Sequence, residues 1–121
     1  MTFKFTPTSF NGNFGVTFNV KGTNNRLGSA VVAFDAVNST VACYNNVSNV
    51  IRYGNALASV PFAYQIGKEY TVNMIIEEEL ITIYLDNSVA LTARLPGIEN
   101  KNFGFYSNGV EVMFKEMNFY V

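Results

Sequence analysis

The side chains that could carry out acid–base or metal chemistry are few in this sequence and widely scattered. The 121 residues contain no histidine, which is the commonest general base and the commonest transition-metal ligand. A glycosidase needs two carboxyl groups about 5–9.5 Å apart across a cleft, and the one acidic cluster, Glu77 to Glu79, is predicted at a hairpin tip. We therefore interpret this cluster as a solvated turn and predict no catalytic residue.

The remaining carboxylates also lie in or beside predicted turns, or on outward-facing strand positions. Asp86, with Asn87 and Ser88, is explained by turn formation, whereas a calcium site needs several oxygen ligands that converge. No phosphate-binding glycine motif occurs, and the two glycosylation sequons, at Asn38 and Asn46, are expected by chance in a chain so rich in Asn. The sequence therefore predicts no metal site and no cofactor.

What remains is recognition by contact. Sugar sites on β-sandwiches combine aromatic ring faces with hydrogen-bonding Asp, Asn and Arg side chains. The candidate carbohydrate-binding residues are Asp35, Tyr44, Arg52, Tyr53, Tyr106 and Asn108. The alternative for the tyrosines is a half-buried sheet position with the hydroxyl at the surface. Arg52 is harder to explain structurally, because it lies in an apolar run where its charge needs a partner.

The composition limits the partners of the chain but not its compartment. Net charge is −1 and only 14% of residues are charged, which argues against nucleic acid, because its capture needs clustered Lys and Arg. No apolar run approaches the roughly 20 residues of a membrane span, and the given sequence does not open with the charged and then apolar segments typical of a signal peptide. The single Cys43 cannot form an internal disulfide, and we predict a buried, inert thiol there. These features leave the compartment open.

The elements that would position the candidate residues are predicted most clearly between Tyr70 and Leu95. Alternation of apolar and polar residues indicates three antiparallel strands there, joined by the acidic tip and by the turn at Asp86. Such a meander leaves one apolar face that the rest of the chain must cover. Turn signals recur every 8–12 residues and no helical period persists, which predicts an all-β, two-layer antiparallel sandwich of about ten strands.

Several local predictions follow the same reasoning. Ala30 to Phe34 is apolar on both faces and reads as a central strand. Asn45–Asn46 and Ser107 to Gly109 are predicted turns. In the last strand the residues predicted to face inward are first even-numbered, Val112 and Phe114, and then odd-numbered, beginning with Met117. This change of parity needs one extra residue, a β-bulge, which is expected near Lys115 and Glu116.

Parts of the chain resemble a known family. The segments that carry the resemblance are Tyr70 to Ile76, Ile81 to Asn87, Phe103 to Tyr106 and Asn118 to Val121, with a looser match at Gly15 to Phe18 and Ala30 to Asp35. They are similar to the C-terminal β-sandwich module of glycoside hydrolase family 32, the β-fructosidases that include levanases, invertases and inulinases. The fold that this resemblance implies is a concanavalin A-like jelly roll.

The resemblance also implies a role. Residues 1–121 would be a single non-catalytic module from the C-terminal end of a larger glycoside hydrolase, and none of the catalytic signatures of that family occurs here. The expected partner is the catalytic propeller of the same polypeptide, with the module aiding stability or forming a homodimer. The alternative is a fructan-binding or other carbohydrate-binding module for terminal fructosides, and a secreted, periplasmic or cell-surface location would suit either. An independent enzyme is the third and least favoured hypothesis.

Overall fold

A computed structural model of the chain describes residues 1–9, 11–19, 29–47, 56–95, 103–108 and 112–118. In these residues the chain forms ten β-strands and no helix. The strands are β1 Thr2–Pro7, β2 Asn13–Asn19, β3 Ser29–Asp35, β4 Thr40–Val47, β5 Ala58–Pro61, β6 Tyr70–Glu77, β7 Leu80–Leu85, β8 Ser88–Arg94, β9 Phe103–Asn108 and β10 Val112–Asn118. The predicted all-β class and strand number are confirmed.

The strands form two five-stranded sheets in which every pairing is antiparallel. Sheet I has the order β10-β1-β6-β7-β8, and sheet II has the order β5-β4-β3-β2-β9. The predicted meander is β6, β7 and β8, which are neighbours in sheet I. The strand predicted at Ala30 to Phe34 is β3, the middle strand of sheet II. Both of its faces are apolar because one packs into the core and the other into a smaller cluster on the outer face.

The hydrophobic core lies between the two sheets, because alternate residues of each strand point inward. In β1 the side chains of Phe3 and Phe5 are fully buried, while Lys4 between them faces outward. Inward residues of both sheets form one continuous apolar cluster. Burial of each such side chain stabilises the fold by roughly 1.5–3 kcal/mol, which is why a chain of this length needs no disulfide.

Aromatic rings fill the centre of this core. The ring centroid of Phe5 lies 4.9 Å from Phe14, 4.9 Å from Phe34 and 5.3 Å from Tyr70. Phe5 and Tyr70 belong to sheet I, whereas Phe14 and Phe34 belong to sheet II, so ring contacts at typical aromatic distances join the two layers.

Two polar contacts of tyrosines fix the connection between β5 and β6 across one end of the sandwich. The Tyr64 hydroxyl donates a 2.8 Å hydrogen bond to the carbonyl of Thr40, and the backbone N–H of Gln65 donates a 2.7 Å bond to the hydroxyl of Tyr70. Tyr64 is buried, and this burial raises the pKa of its hydroxyl well above the ordinary value. The hydroxyl therefore stays a neutral donor.

The predicted β-bulge is present in β10. Thr2 pairs with Asn118 while Lys4 pairs with Lys115, so that two steps along β1 correspond to three along β10. Glu116 in this stretch has a φ of 54°, a conformation that a bulge can impose. The bulge was therefore predicted correctly, but the inward position predicted for Met117 was wrong, because this side chain at the edge strand is 44% exposed.

At two predicted turns, strand pairing continues through the residues that the structure describes. The chain at Asn45 and Asn46 stays in β4, where a second register shift separates the pairs Ser29–Val47 and Val31–Tyr44. At the second, Ser107 and Asn108 remain in β9 and pair with Phe14 and Asn13, while Gly109 lies outside the described residues. Asn and Ser favour turns locally, but an available neighbouring strand satisfies the backbone equally well.

Candidate functional site

The outer face of sheet II carries three of the predicted binding residues. Because alternate residues of β3 and β4 point away from the core, Asp35, Tyr44 and their neighbours lie on this outer face. Tyr106 of β9 lies on the same face, since its neighbour Phe105 packs into the core. The fold therefore brings together residues that are up to 71 positions apart in sequence. We call this surface the tyrosine face.

Very small residues lie between the two tyrosines. Tyr106 pairs with Gly15, Gly15 with Ala33, and Ala33 with Ala42, so that one row across four strands has only a single aromatic side chain. Val31 and Tyr44 form a pair in the neighbouring row. With strands about 4.8 Å apart, the backbones of the two tyrosines are roughly 14 Å apart across the sheet.

Gly15 is required by the backbone geometry of this row. Its φ is 157°, and a Cβ atom built on it would lie 2.0 Å from the carbonyl oxygen of Val32. No side chain fits there. Tyr106 is the cross-strand neighbour of this glycine, an arrangement in which an aromatic residue compensates for the side chain that the glycine lacks.

The two tyrosines differ in accessibility. Tyr44 is only 5% exposed and packs in an apolar cluster with Val31, Ala33 and Ala42. Tyr106 packs against this cluster from one side and is half-buried. Of the predicted binding residues with described side chains, only Tyr106 therefore offers a partly accessible aromatic ring in this conformation.

Asp35 is occupied in holding the turn between β3 and β4. Its Oδ1 accepts hydrogen bonds from the backbone N–H groups of Val37 and Asn38, each 3.0 Å long, and its Oδ2 accepts one from Asn38 Nδ2 at 3.0 Å. The carboxylate is 1% exposed. A carboxylate has about four acceptor positions, so most of this group's capacity stabilises the turn, and the predicted role in sugar binding stays a prediction.

The other three predicted residues cannot be placed in the same detail. Arg52 and Tyr53 lie outside the described residues. Asn108 is the last residue of β9, where its backbone pairs with Asn13, and its side chain lies outside the described part.

Two polar residues of the tyrosine face were not among the predicted candidates. Thr17 of β2 pairs with Gly104 and its hydroxyl donates a 3.5 Å hydrogen bond to that residue's carbonyl. Ser59 of β5 pairs with Ala42 and is exposed. The signal for Thr17 was available, because it alternates in the sequence with the apolar Phe14, Val16 and Phe18, and residues between inward-facing strand positions must face outward.

The described residues assemble no reactive centre on this face. No group of three or more Cys, Asp or Glu side chains that could hold a metal ion occurs in the described ranges. Cys43 is fully buried in the core, and this burial raises the pKa of its thiol to about 12, so the thiol stays protonated and unreactive at neutral pH. What the face can offer is ring surface, hydroxyl groups and backbone shape. In the part of the chain that the structure describes, no helix is long and apolar enough to cross a membrane.

Comparison with known proteins supports the fold rather than a family. No protein-family model matches the sequence, and no curated protein sequence matches it significantly. Among solved structures, the chain is similar to the carbohydrate-binding module CBM66 from Bacillus subtilis, with a TM-score of 0.65 and 15% identity over 94% of this chain and 70% of that one.

Two galectins show the same architecture. The galectin LEC-6 of Caenorhabditis elegans matches with a TM-score of 0.59 and 14% identity over 93% of this chain and 76% of that one. Chicken galectin 2 matches with a TM-score of 0.58 and 12% identity over 94% and 85%. At these identities the likeness establishes the jelly-roll sandwich that the sequence predicted.

Proposed function

We propose that this chain is a non-catalytic carbohydrate-binding β-sandwich and that the tyrosine face is its binding surface. The observation that carries the proposal is the placement of Tyr106, a half-buried and partly accessible ring next to the buried Gly15, on the outer face of sheet II. A sugar ring can stack its apolar side on such a residue, while Thr17 supplies a nearby hydroxyl group. Ser59 supplies a second hydroxyl group at the opposite edge of the same face.

Two further observations support this function. The solved structures that share the fold include a carbohydrate-binding module and galectins. The charge of the chain is also low, which suits a neutral ligand better than an ionic one. The ligand class we propose is therefore a neutral glycan, with terminal fructosides as the finer alternative suggested by the resemblance to β-fructosidase modules.

Calorimetry with Tyr106→Ala tests the proposal. We expect the unmodified chain to bind at least one member of a panel of levan, inulin and neutral galactosides or glucosides. Loss of the stacking ring should weaken that binding at least tenfold, because the ring supplies the main apolar contact. Unchanged affinity in a folded Tyr106→Ala variant would contradict the assignment of this face.

Tyr106 also supports Gly15, so the substitution needs a control for folding. Tyr106→Phe keeps the ring over the glycine and should retain both stability and most of the affinity. Comparing the urea midpoints of the two variants separates a loss of contact from a loss of structure. If no neutral glycan produces heat with the unmodified chain, the function itself is wrong.

An accessory role within a larger glycoside hydrolase is the second candidate. Two apolar side chains at one end of the sandwich, Val37 and Ile66, are 54% and 52% exposed. Their loops are tied to the same connection, since Ala36 N–H donates to the carbonyl of Gly12 and Gly67 N–H donates to that of Pro7. An exposed apolar end of this kind suits contact with a neighbouring domain.

This second role predicts stabilisation by a partner domain. A family 32 catalytic propeller added to the chain should raise its melting temperature, and Val37→Asp should abolish the increase. Leu57, which is 49% exposed and lies on a different connection, provides a control position. Leu57→Asp should leave the increase in melting temperature unchanged. If the propeller does not raise the melting temperature of the unmodified chain, this role is wrong. That result would not bear on the tyrosine face, which the calorimetry tests separately.

A further inference from the structure

The outer face of sheet I is a second surface that the tyrosine face does not explain. Alternation in β6, β7 and β8 directs one set of neutral side chains away from the core. We call this set the threonine strip, and its members are Asn73, Ile75, Thr82, Tyr84 and Thr92.

Strand register makes the strip contiguous. Asn73 pairs with Tyr84, Ile75 with Thr82, and Thr82 with Thr92. Directly opposite residues of an antiparallel pair have side chains about 5 Å apart, so the five side chains form a patch three strands wide. Its centre is the step from Thr82 to Tyr84 along β7.

The strip is open to solvent, unlike the equivalent face of the other sheet. Asn73 and Thr92 are exposed, Ile75 is 42% exposed, and Tyr84 and Thr82 are half-buried among them. On the tyrosine face, by contrast, the central side chains are at most 5% exposed. A long ligand can therefore lie flat on the strip without any rearrangement of the fold.

Charged side chains on two sides of the strip form ion pairs, while Glu77 continues the outer face of β6 at the hairpin tip. On the β8 side, Arg94 donates a 3.1 Å hydrogen bond to Glu79. On the β1 side, Lys4 lies 2.8 Å from Glu116 and 3.7 Å from Glu69. These ion pairs reduce the net field over the strip, so the surface favours an uncharged partner over an ionic one.

We propose that the threonine strip is a second carbohydrate-binding surface, which lies along an extended, neutral polysaccharide chain. The ring of Tyr84 and the side chain of Ile75 match the apolar faces of successive sugar units, while Asn73, Thr82 and Thr92 match their hydroxyl groups. A flat surface encloses no single sugar. Its affinity must therefore come from many weak contacts and must rise with the length of the polysaccharide. This inference goes beyond the tyrosine face and does not depend on it.

Retention on insoluble polysaccharide tests the inference. The probes are washed particles of microcrystalline cellulose and of insoluble β-glucan, with pectate gel as a charged comparator and phenyl-agarose as an apolar one. We expect retention of the unmodified chain on at least one neutral polysaccharide and at least a tenfold loss of that retention in Tyr84→Thr. Threonine keeps a strand-favouring side chain at this position, so that the variant tests the ring rather than the strand.

Two further variants make the result specific. Thr92→Arg leaves Tyr84 intact but places a long charged side chain on the strip, and should also lower retention. Tyr106→Ala should weaken the binding of soluble sugars and leave retention on the particles unchanged. This difference would separate the threonine strip from the tyrosine face.

Three results would overturn the inference. The first is no retention of the unmodified chain on either neutral polysaccharide. The second is retention of Tyr84→Thr equal to that of the unmodified chain. The third is a loss of retention of Tyr84→Thr on phenyl-agarose as large as its loss of retention on polysaccharide. The last result would show a merely apolar surface. Urea midpoints of both strip variants, measured in the same buffer, check that each remains folded.

Discussion

Gly15 shows how one residue determines the shape of a whole face. Its missing side chain permits the close approach of the Val32 carbonyl oxygen, and its cross-strand neighbour Tyr106 lies beside it. The sequence indicates a strand around Gly15 but not this contact. Strand pairing between positions 15, 33 and 106 is long-range, and local patterns do not specify it.

Gly15→Ala should therefore destabilise the fold strongly. A Cβ atom 2.0 Å from a carbonyl oxygen forces the strands apart, and we expect a loss of about 3 kcal/mol or more in the free energy of unfolding. Gly104→Ala is the matched control in the neighbouring strand, because its Cβ would meet only Thr17 Oγ1 at 3.8 Å. Equal urea midpoints for the two variants would contradict the geometry described for Gly15.

Cys43 should make stability fall at alkaline pH. Its folded pKa of about 12 lies above the value of about 8.5 in an unfolded chain. Between these values the folded chain keeps a proton that the unfolded chain loses. The stability contribution is complete below about pH 8.5 and decreases above it, by up to about 1.4 kcal/mol per pH unit.

Urea unfolding between about pH 8 and pH 9.5 measures this effect before the tyrosines titrate near pH 10. In Cys43→Ala the fall of stability with pH should be clearly shallower than in the unmodified chain. The same pH slope in both proteins would show that the thiol is not buried as described.

At the scale of the elements, β10 illustrates how an edge strand is held. An ion-pair chain runs across sheet I from Glu116 to Lys4, on to Glu69 and then to Lys115, with the last contact at 2.7 Å. The bulge at Glu116 also interrupts the regular edge, and interrupted, charged edges resist pairing with other chains. The sequence revealed the bulge through parity, whereas the partners of the charges depended on the sheet order.

Removal of the Glu69 charge should weaken the response of β10 to acid. The hydrogen bond from Lys115 is the main cause that lowers the pKa of Glu69. This carboxylate therefore stabilises the fold above its ordinary pKa of about 4.3, and the contribution disappears as the pH falls through the lower folded value. Glu69→Gln should accordingly lose less stability than the unmodified chain between about pH 5 and pH 3.

Hydrogen exchange of the β10 amides at low salt gives the most local readout of this effect. Glu77→Gln removes the same charge at the exposed hairpin tip and should leave the β10 amides as protected as before. High salt should reduce the difference between the variants, because these groups are exposed and screened. If both substitutions change β10 exchange equally, the ion-pair chain does not hold that strand.

At the scale of the whole molecule, the two layers were predictable and their contents were less so. Alternation from Tyr70 to Leu95 predicted three neighbouring strands, and the run from Ala30 to Phe34, apolar on both faces, predicted a covered central strand. The place of β1 between β6 and β10 was not predictable, since it unites strands from opposite ends of the chain. For the candidate site, residue type suggested Tyr44 and Tyr106 equally, and only packing showed that Tyr44 is buried.

Nuclear magnetic resonance of the labelled chain during titration with a soluble neutral glycan tests the central proposal most directly. We predict that the amide signals of Gly15, Thr17 and Tyr106 shift in a saturable way, while those of the buried core stay fixed and the glycan remains chemically intact. Shifts confined to residues far from the tyrosine face, cleavage of the glycan, or no shift with any neutral glycan of the panel would contradict it.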